Sequence, residues 1–165
     1  MTPAFPAAPD LVIGFAHSAY RLGEEFARRN TGIRFEEFRT AADFHARLPA
    51  FDVVVASGFW RGAPLEAASR LRFIQSVSAG VDMFDQAALK ARGVRLASAK
   101  GANANAVAEH AMGLILAFSR MIHTGRDNQS RKVWRGMIGD PSAREFELAG
   151  KTLLIVGLGG IGARL

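Results

Sequence analysis

Short apolar segments alternate with amphipathic segments along the first hundred residues of the chain. Five segments have the length and composition of β-strands: 11–16, 33–38, 52–56, 72–77 and 94–97. Between them, apolar residues recur at helical spacing, which predicts helices over 17–30, 41–48, 64–70 and 84–92. Residues 1–10, rich in Pro and Ala, are interpreted as a loose leader. Strands that alternate with helices indicate an α/β fold, with a parallel sheet covered on both faces.

The polarity of the five strands predicts their order in the sheet. Strands buried on both faces are continuously apolar, whereas strands at an edge tolerate polar side chains. The first and third segments are the most apolar, and the second and fifth carry charged residues such as Glu36 and Arg95. This pattern fits the flavodoxin-like order 2-1-3-4-5, in which the second and fifth strands form the edges.

The chain changes character after about residue 100. Residues 105–120 have almost no polar face, which predicts a buried helix that we expect to pack between two domains. Residues 121–147 are polar and basic and contain several Gly and Pro, as in an arm or long connection. We therefore predict a flavodoxin-like substrate domain over 1–100, an interdomain helix and arm over 101–147, and a third segment over 148–165.

The third segment carries a glycine-rich motif. Residues 152–156 form an apolar strand that leads directly into Gly157-Leu158-Gly159-Gly160-Ile161-Gly162. In such a dinucleotide fingerprint, the glycines permit a tight turn, close approach to a pyrophosphate and close packing of helix on strand. The motif predicts the first strand and Gly-rich turn of a Rossmann domain. Only three residues follow it, so we expect an incomplete domain whose strand lacks partners. We expect residues 11–100 to fold, and those from about 121 to be poorly ordered or packed unnaturally.

Composition limits the possible functions. The 165 residues contain 21 Lys and Arg against 15 Asp and Glu, a net charge of +6, but the basic residues are mostly scattered among acids. We therefore expect no nucleic-acid binding, although the basic stretch over 120–135 keeps it as an alternative. Cysteine is absent, which excludes disulfides and zinc–thiolate sites. No apolar run reaches about 18 residues, so we expect no membrane contact. The N-terminal residues lack the pattern of a secretion signal, so we expect a cytoplasmic location.

Three loops are candidates for ligand binding. In open parallel sheets, ligands bind beyond the carboxyl ends of the strands. There the sequence has Ser57-Gly58-Phe59-Trp60, Ser78-Ala79-Gly80-Val81-Asp82 and Lys100-Gly101. Their small residues expose backbone N–H groups, which suit a carboxylate ligand. The alternative is that these are ordinary turns between strands and helices. For Glu109 and His110 we favour a structural role over a proton relay.

Three motifs together resemble a known family. They are Ser76-Val77-Ser78-Ala79-Gly80-Val81-Asp82, Asn103 through His110, and Leu148-Ala149-Gly150-Lys151-Thr152 through Gly162. In this order they are similar to the D-isomer-specific 2-hydroxyacid dehydrogenases. The resemblance is specific from about residue 71 onward. It implies a flavodoxin-like substrate domain followed by a Rossmann domain, with the active site in the cleft and dimerisation through the cofactor domain and its arm.

The resemblance also implies roles for individual residues. The backbone N–H groups of Ala79 and Gly80 would hold the substrate carboxylate, in a loop that begins at Ser78. The wall of the substrate pocket would be formed by Ser57, Gly58, Phe59 and Trp60. Val107 would lie near the nicotinamide of NAD or NADP. The pyrophosphate would be surrounded by Gly157, Gly159, Gly160, Ile161 and Gly162.

One departure from the family pattern is informative. The catalytic arginine, carboxylate and proton-donating histidine of the family lie beyond the fingerprint, and this sequence has no matching positions. The resemblance implies NAD(P)-dependent interconversion of a small 2-keto acid and a 2-hydroxy acid, by a homodimer when full-length. We expect this chain to be an inactive N-terminal fragment. The alternative is a non-catalytic α/β module that binds a small carboxylate or pairs with a full-length relative.

Overall fold

A five-stranded parallel sheet organises the first hundred residues. The structure is a computed structural model that describes residues 4–165, so the first three residues of the expected leader lie outside it. The strands are β1 (Val12–Ala16), β2 (Arg34–Phe38), β3 (Val53–Ala56), β4 (Phe73–Gln75) and β5 (Arg95–Ala97). Their order is β2-β1-β3-β4-β5, and all neighbours are parallel. The predicted fold class and strand order are confirmed.

Three short α-helices connect the strands. They are α1 (Leu22–Ala27), α2 (Ala41–Arg47) and α3 (Gln86–Ala91). Helix α2 begins after Thr40, whose hydroxyl accepts a hydrogen bond from the Asp43 N–H at 3.2 Å. Helix α3 begins after Asp85, whose carboxylate accepts one from the Ala88 N–H at 2.9 Å. Each cap satisfies an N–H group that the first helical turn leaves unpaired.

Side chains alternate between the two faces of the sheet and form two apolar cores. The larger core contains Val54 and Ala56 of β3 together with Phe44, Leu48 and Leu89 from the α2 and α3 side. The smaller core lies on the opposite face. Its strand residues are Ile13, Phe15 and Val53, and Val53 precedes Val54 of the larger core by one position. They pack against Leu22 and Phe26 of α1. Burial on both faces explains why the central strands are so apolar.

The first predicted helix, over 17–30, is too long. Helix α1 begins only at Leu22, because His17 organises the preceding residues differently. The Nδ1 atom of His17 accepts hydrogen bonds from the N–H groups of Ala19 and Tyr20 at 3.0 and 2.9 Å. These local bonds replace the first turns of a helix, and the Tyr20 ring stacks on the imidazole at 4.0 Å.

The predicted helix over 64–70 is wrong. A single 3₁₀ turn, Leu65–Ala67, occupies this segment. The carbonyl groups of Leu65 and Ala68 accept hydrogen bonds from the Arg92 guanidinium, at 2.9 Å for Ala68. The Leu65 carbonyl also accepts from the Ala68 N–H at 3.1 Å, and the Ser69 N–H donates to Ala67 at 2.8 Å, so the local bonds are tighter than those of an α-helix. The fully buried Ala68 ends the turn with ψ at 61°.

Asp52 joins three segments at the amino end of the sheet. Its buried carboxylate accepts hydrogen bonds from the Val12 N–H at 3.1 Å and from Arg70 at 2.7 Å. Its own backbone bonds to Val12 and to the Arg72 N–H. The hydrogen bond to Asp52 also raises the pKa of the Arg70 guanidinium. A single acidic residue thereby fixes the start of β1 against β3 and β4, at the end of the sheet opposite to the candidate loops.

The chain divides after Lys100 into two compact units, and the second contains two helices. Helix α4 (Ala104–Ser119) coincides with the predicted helix over 105–120, but the prediction that it is buried is wrong for this chain. Only Ala104, Ala108 and Ser119 are buried, while Phe118 is 70% exposed. The side chains within residues 101–165 cover only one side of the helix. Apolar composition alone therefore does not reveal which surface a helix is packed against.

The segment over 121–147, expected to be an arm or long connection, begins with a helix. This is α5 (Ile122–Ser130), none of whose residues is buried. The expectation that residues from about 121 are poorly ordered or packed unnaturally stays a prediction. A 3₁₀ turn follows at Pro141–Ala143, and the chain then returns to the end of α4. The Phe146 N–H donates to the Ser119 carbonyl at 3.0 Å, and the Phe146 ring packs edge-on against Phe118.

The predicted strand over 152–156 is not formed. Within residues 4–165 it pairs with no other strand, and Val156 is 94% exposed. An extended segment becomes a strand only when a neighbour accepts and donates the backbone hydrogen bonds. The apolar sequence is therefore correctly identified as strand-like, but the described residues supply no neighbour for it.

The close contact between Gly14 and Phe51 gives a test of the larger core. A Cβ atom at Gly14 would lie 2.7 Å from the Phe51 ring, which is fully buried and has no room to move. We expect Gly14→Ala to lower the free energy of unfolding by about 1–3 kcal/mol through overpacking. Gly58→Ala is the control, since no atom lies within 4 Å of its Cβ position. Urea denaturation measures both. An unchanged midpoint for Gly14→Ala would contradict the packing described for this face.

Candidate functional site

The loop after β3 forms the first part of the candidate site. Ser57 is buried, Gly58 is exposed, and a 3₁₀ turn over Gly58–Trp60 follows. The turn is closed by the Trp60 N–H, which donates to the Ser57 carbonyl at 2.8 Å. Trp60 is only 5% exposed, and its ring packs at 5.8 Å from Phe84 in the larger core. Trp60 therefore supports this loop from beneath.

The half-buried Phe59 is held by a side chain from α2. The Nε2 atom of His45 lies 2.6 Å from the Phe59 carbonyl oxygen, so this nitrogen carries the hydrogen and donates. The contact ties the loop to the helix that covers the adjacent strands. Sequence reasoning missed His45, because a single histidine in an amphipathic helix gives no indication of a partner 14 residues away.

The loop after β4 is organised around the fully buried Ser76. Its hydroxyl oxygen accepts a hydrogen bond from the Ser78 N–H at 3.1 Å and lies 3.1 Å from the Ser78 carbonyl oxygen. The same carbonyl also accepts from the Ala99 N–H at 3.0 Å, which fixes the loop against the end of β5. The signal in the sequence is a polar residue that interrupts an apolar strand, although it does not specify these contacts.

The next two residues leave their backbone donors free. Ala79 and Gly80 are exposed, and neither N–H group meets an acceptor within residues 4–165. A side chain at position 80 would contact the Asp82 carboxylate, because the Cβ position lies 3.3 Å from Oδ2. Adjacent N–H groups of this kind bind anions, and a carboxylate is the simplest organic ligand for them. The two adjacent N–H groups of this loop are therefore a candidate site for a carboxylate.

The two loops meet through their hydroxyl groups. The Oγ atoms of Ser57 and Ser76 lie 3.1 Å apart and both are buried. Ser57, Gly58 and Phe59 of the first loop and Ser78, Ala79 and Gly80 of the second are thus brought to one end of the sheet. The structure places the sequence-predicted substrate residues together here, with Trp60 in the core below.

The glycine-rich turn lies in the second unit. Gly157 has φ at +100°, a conformation that favours glycine. A Cβ atom at Gly162 would overlap the Gly157 carbonyl oxygen, so only glycine fits there. These two positions meet the steric demands of the first and third glycines of the fingerprint. The fingerprint helix is represented by one 3₁₀ turn, Gly162–Arg164.

The remaining residues predicted to bind the cofactor are open to solvent. Gly159 has no neighbour within 4 Å of its Cβ position, and Ile161 is exposed. The Gly160 carbonyl accepts a hydrogen bond from the Arg164 guanidinium, whose Nε also donates to Asn105 of α4 at 2.6 Å. Val107, the residue expected near the nicotinamide, is an exposed residue of the same helix.

Two other kinds of feature are absent from the described part of the chain. Within residues 4–165 no three His, Asp or Glu side chains are grouped so that they could hold a metal ion. None of the helices in the same range is long and apolar enough to cross a membrane.

Comparisons with known proteins identify the family of this chain. The model of the family described as D-isomer specific 2-hydroxyacid dehydrogenase, catalytic domain, matches residues 16–157. D-3-phosphoglycerate dehydrogenase from Mycobacterium leprae is 37% identical over 98 residues, which are 59% of this chain and 18% of the relative. Hydroxypyruvate reductase from Thermotoga maritima is 35% identical over 117 residues, which are 70% of this chain and 37% of the relative.

A solved structure has the same fold. D-lactate dehydrogenase from Aquifex aeolicus, complexed with NAD and lactic acid, superimposes with a TM-score of 0.74 at 20% identity. The superposition covers 92% of this chain and 46% of that one. The chain therefore spans less than half the length of each of these three proteins. The family that the three sequence motifs indicate is confirmed, and the chain belongs to the D-isomer specific 2-hydroxyacid dehydrogenases.

Proposed function

We propose that this chain contributes the substrate-binding half of an oxidoreductase that interconverts a small 2-keto acid and the corresponding 2-hydroxy acid. The observation that supports the proposal is the pair of free N–H groups at Ala79 and Gly80, in a loop fixed by buried Ser76. Both donors would bind one substrate carboxylate. The names of the relatives, a hydroxypyruvate reductase and a D-lactate dehydrogenase, belong to enzymes of such small acids.

Binding at the carboxylate would orient the rest of the substrate. Two N–H donors restrain the carboxylate from both rotation and translation, so the reacting carbonyl is held at a defined position. Gly58 and Phe59 would then line one side of the adjacent space, since the contact between buried Ser57 and Ser76 brings their loop to the same edge. The exposed Gly58 leaves this side open, so it does not restrict the length of the substrate side chain.

The glycine-rich turn fits a dinucleotide in part. NAD or NADP would supply or accept the hydride, and Gly157, Gly159, Gly160, Ile161 and Gly162 would surround its pyrophosphate. The conformation of Gly157 and the absence of space for a Cβ at Gly162 support this assignment. Val107 of α4 would contact the nicotinamide, in line with the family resemblance.

We also propose that the full-length protein forms a homodimer through the segment that follows α5. Three of its apolar side chains, Val133, Trp134 and Met137, project into solvent, and Trp134 is 97% exposed. Exposed apolar groups of this size typically mark a protein–protein contact.

A non-catalytic role is the second candidate. The segment over 152–156 pairs with no strand within residues 4–165, so the first strand of a dinucleotide-binding domain is not formed there. The chain would then act as an α/β module that binds a small carboxylate or pairs with a full-length relative.

Titration with pyruvate tests the carboxylate site, which both candidates share. We expect saturable shifts of the Ala79 and Gly80 amide signals in ¹H–¹⁵N NMR spectra, with a Kd on the order of 1 mM, or about 4 kcal/mol. Pyruvamide is the matched control, because it keeps the shape and lacks the charge. Ala79→Pro, which removes one donor, should weaken pyruvate binding about tenfold. Equal shifts with pyruvate and pyruvamide would refute an anion site in this loop.

An assay for turnover tests the expectation, shared by both candidates, that this chain alone is not a complete enzyme. With pyruvate and NADH, the 165-residue chain should not oxidise NADH, because its sequence has no positions matching the family's catalytic arginine and histidine. A general acid at the carbonyl and a cation at the carboxylate are needed for hydride transfer at a useful rate. An active D-lactate dehydrogenase in the same mixture is the positive control. NADH loss proportional to the concentration of this chain would show that the assignment of roles is wrong.

A further inference from the structure

We infer that the buried Ser57–Ser76 hydroxyl pair is a positioning device that aims the N–H groups of Ala79 and Gly80 at the substrate carboxylate. The inference rests on the proposed carboxylate site. Neither serine reaches a ligand in this role, since both are buried beneath the two loops. They act through the loop that they hold, as positioning residues and not as catalytic ones.

The direction of each hydrogen bond follows from the number of donors and acceptors. A serine hydroxyl has one hydrogen and two lone pairs. The Ser78 N–H occupies one lone pair of Ser76 Oγ at 3.1 Å. The Ser76 hydrogen points to the Ser78 carbonyl at 3.1 Å, which is closer than the Gly80 carbonyl at 3.5 Å. Ser57 Oγ lies at 3.1 Å from Ser76 Oγ, and either hydroxyl can donate in this pair. We assign Ser57 as the donor, because every group of the network is then paired.

This arrangement makes the two serines unequal. Ser76 makes three hydrogen bonds, and two of them close a small ring with the backbone of Ser78. That ring fixes the peptide planes immediately before Ala79 and thereby the direction of the next two N–H groups. Ser57 makes a single contact with this network, which links the loop after β3 to the loop after β4.

Packing alone does not explain the pair. Burying a hydroxyl without a partner is unfavourable, so apolar residues would suit a site that only needed to be filled. Here two hydroxyls satisfy each other and the turn of one loop, directly beneath the exposed amides. The Ala99 N–H holds the same Ser78 carbonyl from the β5 side, at 3.0 Å. Residues that follow β3, β4 and β5 therefore all help to fix the turn at Ser78.

The test is a double-mutant cycle on pyruvate binding to the full 165-residue chain. Ser76→Ala should weaken binding about tenfold, equivalent to 1.4 kcal/mol, because all three hydrogen bonds are lost. Ser57→Ala should weaken it by only about threefold, since Ser76 keeps its ring with Ser78. The double variant should bind within about twofold of Ser76→Ala, because Ser57 has then already lost its acceptor.

Amide hydrogen exchange gives a signature that does not depend on the ligand. Exchange of the Ser78 N–H should accelerate in Ser76→Ala and remain slow in Ser57→Ala. Ser69→Ala, on the exposed surface, is the control for loss of a hydroxyl. Phe26→Ala, in the core on the opposite face, is the control for loss of stability. Both controls should bind pyruvate within about twofold of the unchanged chain.

The possible outcomes are distinguishable. If the unchanged chain binds pyruvate and the serine variants bind equally well, the inference is overturned and the carboxylate site stands. Additive effects of the two serine substitutions would overturn the coupling between the loops. If the unchanged chain does not bind pyruvate, the proposed site itself fails, and the inference with it. Should Ser76→Ala not fold, Ser57→Ala decides alone, and an unchanged Kd rejects the inference.

Discussion

The candidate site depends on a small number of buried hydrogen bonds at the carboxyl end of a parallel sheet. Backbone groups that leave the sheet there have no ladder partner and must find one elsewhere. In this chain, the backbone N–H of Ser78 donates to the hydroxyl of Ser76. The backbone carbonyl of Ser78 accepts a hydrogen bond from the Ala99 N–H. Because these inner groups are satisfied within the protein, the outer N–H groups of Ala79 and Gly80 remain available. The proposed carboxylate site therefore relies on backbone donors.

The need to pair backbone groups that leave the sheet also explains why its two ends differ. At the amino end, Asp52 satisfies the Val12 N–H and pairs with Arg70, so the end is closed by protein groups. At the carboxyl end, the loops contain small residues, and Gly58, Ala79 and Gly80 stay exposed. One end therefore contributes stability, and the other leaves polar backbone accessible, as expected for a ligand site on an open parallel sheet.

Much of the first unit is predictable from the sequence, because its strands lie between two apolar layers. Val53, Val54 and neighbouring residues contact both cores, so a continuous apolar run is a reliable signal of a central strand. The position of the candidate loops at one end of the sheet is also predictable, because all the strands are parallel. The family resemblance implies which loop would bind a carboxylate, and that role stays a prediction.

Other features depend on contacts that a local pattern does not encode. The segment over 64–70, expected to be a helix, forms a 3₁₀ turn whose carbonyl groups also bind Arg92, more than twenty residues away. The exposure of α4 depends on which surfaces are available to cover it. The amino-acid composition of the helix does not indicate those surfaces. The roles of His45 and Ser76 were missed for a similar reason, since each acts through a backbone atom of a loop rather than through a recognisable motif.

The central claim is that the Ser76-centred loop presents two N–H groups to a substrate carboxylate. A crystal structure of the chain with oxamate, a charged analogue of a 2-keto acid, tests it most directly. The account predicts one carboxylate oxygen or both within about 2.7–3.1 Å of the Ala79 and Gly80 nitrogen atoms. The Ser57–Ser76 contact should be retained in that complex. Oxamate bound elsewhere, with these two amides still facing solvent, would contradict the account.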